Sequence, residues 1–242
     1  MLITMPDARF DGDAEFEQVV IGDRADLKVY KADTLDDIAP EVWAATDALM
    51  IWGRIRCDKA MMDRVPNCRV VVRMGVGFDA IDIQEAGKRG IAACNVPDYG
   101  TTDVADHAIG LMLGLTRGIV RHHTALVDAP VANWKAIDTP VVRRARGLTY
   151  GVVGCGRIGT AVAVRARAMG MNVGYFDPYL PTGHEMSLDL KRFGSLEELL
   201  GWSDVLSLHT PLNAETTNMI NRTAVDAMKG DTILCNCARG GL

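Results

Sequence analysis

No stretch of this chain is apolar for long enough to cross a bilayer. The longest runs, such as Ile109 to Leu115, fall well short of the roughly 20 residues a spanning helix needs. The N-terminus is acidic and lacks the build of a signal peptide, so the expected compartment is the cytoplasm, without membrane attachment. A basic excess is also lacking: 26 Lys and Arg stand against 31 Asp and Glu, a net charge of −5, which argues against a nucleic-acid-binding face. The local basic cluster Arg143-Arg144-Ala145-Arg146 reads as a solvated face. Six cysteines, at 57, 68, 94, 155, 235 and 237, form no CxxC pair and have no histidines at zinc-finger spacing. No metal site is expected, and reduced, packed thiols are the default. Cys235 and Cys237 alternate along a predicted strand and share a face, which puts them either in the core or near a ligand.

What the chain has is alternation. With 242 residues, 48% of them hydrophobic, it can bury a substantial core in one or two domains. Strand patterns at Leu2 to Met5, Leu27 to Tyr30, Ala48 to Trp52, Val70 to Arg73 and Ile91 to Val96 are interleaved with helical ones near Ala14 to Ile21, Lys59 to Arg64 and Ile83 to Arg89. Such alternation predicts parallel sheets built from right-handed crossovers, an α/β fold. Thr101 and Thr102 offer an N-cap to a helical pattern running unbroken from Asp103 to about Leu126. That is too long for a simple crossover and suits a connector between domains. A loop rich in Ala, Pro and Asn comes next, Asp128 to Pro140. Then come strands Leu148 to Val153, Met171 to Phe176, Val205 to His209 and Thr232 to Cys237, with helices near Leu196 to Gly201 and Arg222 to Met228. The expected division is a first domain over 1–98 and a second over 99–242.

The most specific signal is Gly154-Cys155-Gly156-Arg157-Ile158-Gly159, set between a strand and a helix pattern. In a dinucleotide-binding turn, the Gly154 position permits the bend, Gly156 lets backbone approach a pyrophosphate, and Gly159 lets the helix pack closely on the sheet. The helix N-terminus then offers free N–H groups to the phosphates. Asp177 lies 18 residues after Gly159, at the end of the next strand, where a carboxylate holds both ribose hydroxyls and repels a 2′-phosphate. Pro178 and Tyr179 stand where an NADP enzyme often has arginine, so NAD is the expected cofactor. The plainer alternative is a structural glycine turn with a solvated Asp177.

Gly75-Val76-Gly77-Phe78-Asp79-Ala80 also comes after a strand and fits the loose pattern. Asp79 and Asp82 would repel a pyrophosphate there, so the amides of Val76 and Gly77 suit one small anion, or merely a tight turn. Arg239 lies just past the last strand, at the rim where ligands of doubly wound sheets bind. A guanidinium there can hold a carboxylate bidentately and polarise an adjacent carbonyl, or form a surface salt bridge. His209, with Thr210 and Pro211, sits at the same rim one strand earlier and is an acid/base candidate, a cleft-lining residue or a satisfied core histidine.

Together Arg73 to Asp82 (RMGVGFDAID), Gly90 to Pro97 (GIAACNVP), Val104 to His107 (VADH), the glycine turn, Phe176 to Pro181 (FDPYLP), His209 to Leu212 (HTPL) and Asn236 to Gly240 (NCARG) resemble the D-isomer-specific 2-hydroxyacid dehydrogenase family. The resemblance is strongest to its branch similar to the C-terminal-binding proteins, and residues 1–69 match in pattern only. It implies a flavodoxin-like substrate domain joined to a Rossmann domain, usually as a homodimer, that moves hydride between NAD and a 2-hydroxy or 2-oxo acid. It assigns Val76 and Gly77 to the substrate carboxylate. Val104, Arg157, Ile158, Asp177, Thr210, Pro211, Cys237 and Ala238 surround NAD by the same likeness, Gly154, Gly156 and Gly159 of the turn, His209 and Arg239 complete the expected cofactor site, and Arg239 also orients the 2-oxo acid. The family's proton-donating histidine and its glutamate lie downstream of the arginine motif, beyond Leu242, so the expectation is a longer enzyme with a C-terminally incomplete NAD domain here. The rivals are an NADH-responsive interaction protein of the co-repressor type and a cofactor-binding fragment without turnover.

Overall fold

A computed structural model describes residues 1–132, 134 and 142–242. The chain divides into two units, Met1–Tyr99 and Gly100–Leu242. The first is built from β1 (Leu2–Met5), α1 (Glu15–Ile21), β2 (Asp26–Val29), α2 (Pro40–Ala45), β3 (Ala48–Ile51), α3 (Lys59–Arg64), β4 (Val70–Arg73), α4 (Ile83–Lys88) and β5 (Ala92–Asn95). Its five strands are all parallel in the order β2-β1-β3-β4-β5, the flavodoxin-like winding. Trp43, Leu49, Ile51, Met61, Met62 and Val71 close its core. Asp58 and Asp82 start α3 and α4 by accepting the Met61 and Glu85 amides at 3.2 and 2.9 Å, caps worth about 1 kcal/mol each.

The second unit carries α5 (Thr101–Thr116), α6 (Ile119–Asp128), β6 (Thr149–Val153), α7 (Arg157–Ala168), β7 (Asn172–Phe176), α8 (His184–Leu188), β8 (Lys191–Arg192), α9 (Leu196–Trp202), β9 (Val205–Leu208), α10 (Arg222–Asp226) and β10 (Ile233–Asn236). The sheet is again all parallel, ordered β10-β9-β6-β7-β8. One face is covered by α5 and α7, whose Ala105, Ala108, Ala163 and Ala166 allow close approach to Tyr150, Val152 and Tyr175. Leu199, Leu200 and Ala224 cover the other face, against Val153, Leu206 and Leu208. A sheet buried on both faces needs near-continuous apolar strands, and β9, Val-Leu-Ser-Leu, is buried throughout.

Three local readings change. The helical pattern from Asp103 to Leu126 is two helices, because Gly118 adopts the left-handed region (φ 62°) and its amide turns back to Leu115. Thr101 and Thr102 lie inside α5, whose N-cap is Gly100, rather than capping it. Arg143 is not on a solvated face. Its guanidinium donates to the Asp231 carboxylate at 3.1 Å and lies 3.9 Å from Asp204, which itself accepts the Thr149 amide and Lys229. Those partners lie 61 and 88 positions further along the chain, out of reach of a local reading, while Arg144 and Arg146 are not drawn into that cluster. Of the expected loop Asp128 to Pro140, residues 133 and 135–140 lie outside the described residues.

Candidate dinucleotide site

Strand register lines up the rim of the second unit. Val153 is level with Phe176 on β7 and Leu208 on β9, and Leu208 with Asn236 on β10. One residue beyond each strand therefore gives, in spatial order, Cys237, His209, Gly154 and Asp177. Four of the residues expected to meet NAD come from four separate strands and arrive at one edge.

The turn after β6 has the geometry its glycines predict. Gly154 sits at φ +85°, where a side chain would be strained and a Cβ would stand 3.1 Å from the His209 carbonyl. At Gly159 a Cβ would lie 2.0 Å from the Gly154 carbonyl oxygen, so only glycine lets α7 pack against the turn. Gly156 is exposed and a Cβ there would meet nothing within 4 Å, which is the open approach a diphosphate requires. Gly156 is also the N-cap of α7 and has no side chain to occupy the first-turn amides, which stay available to an anion along with the helix dipole. Arg157, next in the chain, is exposed, and Ile158 is partly buried against the core.

Asp177 fixes the turn while staying half-exposed. Its Oδ2 accepts the Cys155 amide and its Oδ1 the Tyr179 amide, each at 3.0 Å. His209 is half-buried and bonded through Nε2 to the Ser207 hydroxyl at 2.9 Å. Burial pushes its pKa down to about 4, so at neutral pH the ring is uncharged and a poor proton donor. Within the second unit the ring is a hydrogen-bonded, largely desolvated histidine at the rim of the sheet. Thr210 and Pro211 come next, and the Pro211 carbonyl accepts from the Thr216 hydroxyl at 2.6 Å. Cys235 is buried in the core, its thiol pushed up to about 11 by desolvation, and Cys237 packs partly buried against the same cluster. Beyond β10, Asn236 accepts the Ala238 amide at 3.0 Å and donates to the Arg239 carbonyl at 2.8 Å, a brace that sets where Arg239 leaves the backbone. Arg239 is half-buried. Val104 lies in the first turn of α5, its amide bonded to Gly100.

Val76 and Gly77 belong to the first unit, directly after β4. Asn95 donates to the Val76 carbonyl at 2.7 Å, holding the turn to β5. The Arg73 guanidinium lies across this turn, so close that a Cβ on Gly75 would overlap it. It forms no ion pair among the described residues. Arg73 opens the RMGVGFDAID segment, and sequence reasoning gave it no role of its own; the signal that could have found it is a cation at a strand end beside glycines. Asp82 is turned away into the α4 cap, which removes one of the two carboxylates expected to oppose an anion here. Among the described residues no group of His, Cys, Asp and Glu is arranged to hold a metal ion, and no helix is long and apolar enough to cross a membrane.

A parallel sheet in this order, with a glycine turn, an uncapped helix start and an acid on the neighbouring strand, defines a dinucleotide-binding domain of Rossmann type. The chain belongs to the D-isomer specific 2-hydroxyacid dehydrogenase family: the family's NAD binding domain matches residues 109–242. Among curated proteins it is similar to C-terminal-binding protein 1 of Caenorhabditis elegans, 31% identical over all of this chain and 33% of that one. It is 34% identical to D-3-phosphoglycerate dehydrogenase of Methanocaldococcus jannaschii over 81% of this chain and 37% of that one. The chain thus spans about a third of the length of these relatives. Among solved structures, D-lactate dehydrogenase from Aquifex aeolicus complexed with NAD and lactic acid superposes with a TM-score of 0.88 at 28% identity, covering all of this chain and 70% of that one.

Proposed function

We propose that the protein to which this chain belongs is an NAD-dependent oxidoreductase that interconverts a D-2-hydroxy acid and the corresponding 2-oxo acid. The observation that carries this reading is the rim of the second unit, where the glycine turn, Asp177, His209 and the braced Arg239 stand at the ends of four strands of one sheet. Bound at this rim, NAD would supply hydride-transfer chemistry toward C2 of the substrate. The amides opening α7 and the open face of Gly156 would hold its diphosphate, Asp177 its adenosine ribose, and His209, Thr210, Pro211, Cys237 and Ala238 would border it. Arg239 binds carboxylate and carbonyl through the planar fork of its guanidinium and stabilises the charge that grows on the carbonyl oxygen. Val76 and Gly77 offer amides to the substrate carboxylate, and the Arg73 guanidinium beside them adds positive charge. His209, neutral above about pH 4, is not the proton donor of this reading.

The test is NADH oxidation with a panel of 2-oxo acids, run on the natural protein and on Arg239→Lys. The lysine variant should lose kcat/KM by roughly 30-fold to 1,000-fold, the range for removing one transition-state contact, while its NADH affinity stays the same. Equal turnover in the two proteins, or no turnover with any 2-oxo acid, overturns the proposal.

A further inference from the structure

We propose that Glu215, tied to Tyr179 across the carboxyl end of β6, is a second carboxylate that excludes the 2′-phosphate of NADP and makes the site selective for NAD. This rests on the assignment of Asp177 to the adenosine ribose. β6 lies between β9 and β7 in the sheet, so the segments leaving β9 and β7 flank the glycine turn on its two sides. Tyr179 lies past the end of β7 and Glu215 past the end of β9, and the Tyr179 hydroxyl donates to the Glu215 carboxylate. The bond therefore bridges the two sides of the turn. Tyr179 also presents its own amide to Asp177 Oδ1 at 3.0 Å. One residue thus connects the two acids, and its hydroxyl is held above the usual tyrosine range, first by the bond to Glu215, then by desolvation and by the charges of Glu215 and Asp177.

Among the described residues, neither Asp177 nor Glu215 takes part in an ion pair. Arg192, on the neighbouring β8, spends its guanidinium on the carbonyls of Asp177, Leu180 and Pro181 at 3.4, 2.9 and 3.0 Å and lies 3.7 Å from Glu185. A phosphate dianion entering beside Asp177 meets two carboxylates that no described cation pairs with, whereas a ribose hydroxyl meets two hydrogen-bond acceptors. The same electrostatics that tolerate NAD therefore oppose NADP.

The experiment is dissociation constants for NADH and NADPH at low ionic strength, for the natural protein to which this chain belongs and its variants Glu215→Gln, Tyr179→Phe and Asp177→Ala, each checked for fold by circular dichroism. Glu215→Gln removes charge but keeps an acceptor for Tyr179. It should raise NADPH affinity relative to NADH by about three- to tenfold, an effect that shrinks at high salt. Tyr179→Phe frees the carboxylate without removing its charge and should move the ratio less. A shifted ratio in Asp177→Ala beside an unshifted one in Glu215→Gln overturns the role of Glu215 and leaves the ribose assignment standing. No shift in either variant, or no binding of either dinucleotide by the natural sequence, overturns both.

Discussion

Two turns in this molecule spell nearly the same pattern, Gly75-Val76-Gly77 after β4 and Gly154-Cys155-Gly156 after β6, and they are built for different guests. After β6 the chain enters α7 at once, a helix of 12 residues whose first amides no side chain claims. After β4 it wanders through Phe78 to Ala80 before α4, a helix of 6 residues whose first turn is already satisfied by Asp82. The β6 turn has a carboxylate, Asp177, bound to its backbone; the β4 turn has a guanidinium, Arg73, lying over it. The first arrangement suits a diphosphate flanked by ribose hydroxyls, the second a single small anion. Glycine spacing is therefore the weaker part of a dinucleotide fingerprint. The stronger part is the long uncapped helix directly behind the glycines and the acid at the end of the next strand.

The comparison breaks most sharply at the glycines that touch their surroundings. Gly159→Ala places a methyl 2.0 Å from the Gly154 carbonyl oxygen, a backbone atom that moves only if the turn and α7 separate. A loss of about 3 kcal/mol in unfolding free energy is expected, together with weakened NADH binding. Gly75→Ala produces a nominally worse overlap, 1.3 Å, but with the end of the Arg73 side chain, which can swing aside. Its cost should stay under about 1 kcal/mol. Denaturant melts of the two variants decide the matter, and equal destabilisation would mean that the β4 turn is as tightly built as the β6 turn.

Next in size is Gly156→Val. Its Cβ meets no protein atom and its backbone is in an ordinary region, φ −71°, so the fold should survive. The side chain fills the approach to the α7 amides, and NADH affinity should fall by roughly 100-fold, the loss of about two charge-assisted hydrogen bonds. Gly77→Val, the matched change in the other turn, should leave NADH affinity where it is. A Gly156→Val protein that is folded and binds NADH normally removes the dinucleotide from this turn.

Much of this contrast is legible in the sequence. Both parallel sheets can be read from the alternation of β-branched runs with helical periods, and the Gly154 to Asp177 unit declares itself by context. What escapes is non-local. The break at Gly118 is hidden because a glycine inside a helix costs only about 1 kcal/mol, and nothing in the surrounding pattern falls out of phase. The ties Arg143 to Asp231 and Tyr179 to Glu215 join residues 88 and 36 positions apart, whose meeting is decided by strand order rather than by any local signal. The role of Ser207 in holding His209 is hidden by its place in a buried strand, where a serine resembles a small core residue.

The smallest of the expected effects separates the units by acid. All five histidines lie in the second unit, at 107, 122, 123, 184 and 209, and the first has none. His209 has a folded pKa near 4, against about 6.5 for an unperturbed histidine, because its ring is withdrawn from water beside Ser207. As pH falls the unfolded chain takes up this proton first, so the stabilisation of the second unit is complete above about pH 6.5 and is lost progressively down to about pH 4. Between pH 7 and pH 5 the loss should be on the order of 2 kcal/mol, and His209→Asn, which keeps a polar group at the rim but cannot titrate in this range, should flatten it. Denaturant unfolding at several pH values, tracked by signals assigned to each unit, provides the measurement. If the first unit loses stability over this window as steeply as the second, or if the asparagine variant retains the full slope, the acid sensitivity does not come from the histidine that borders the dinucleotide turn.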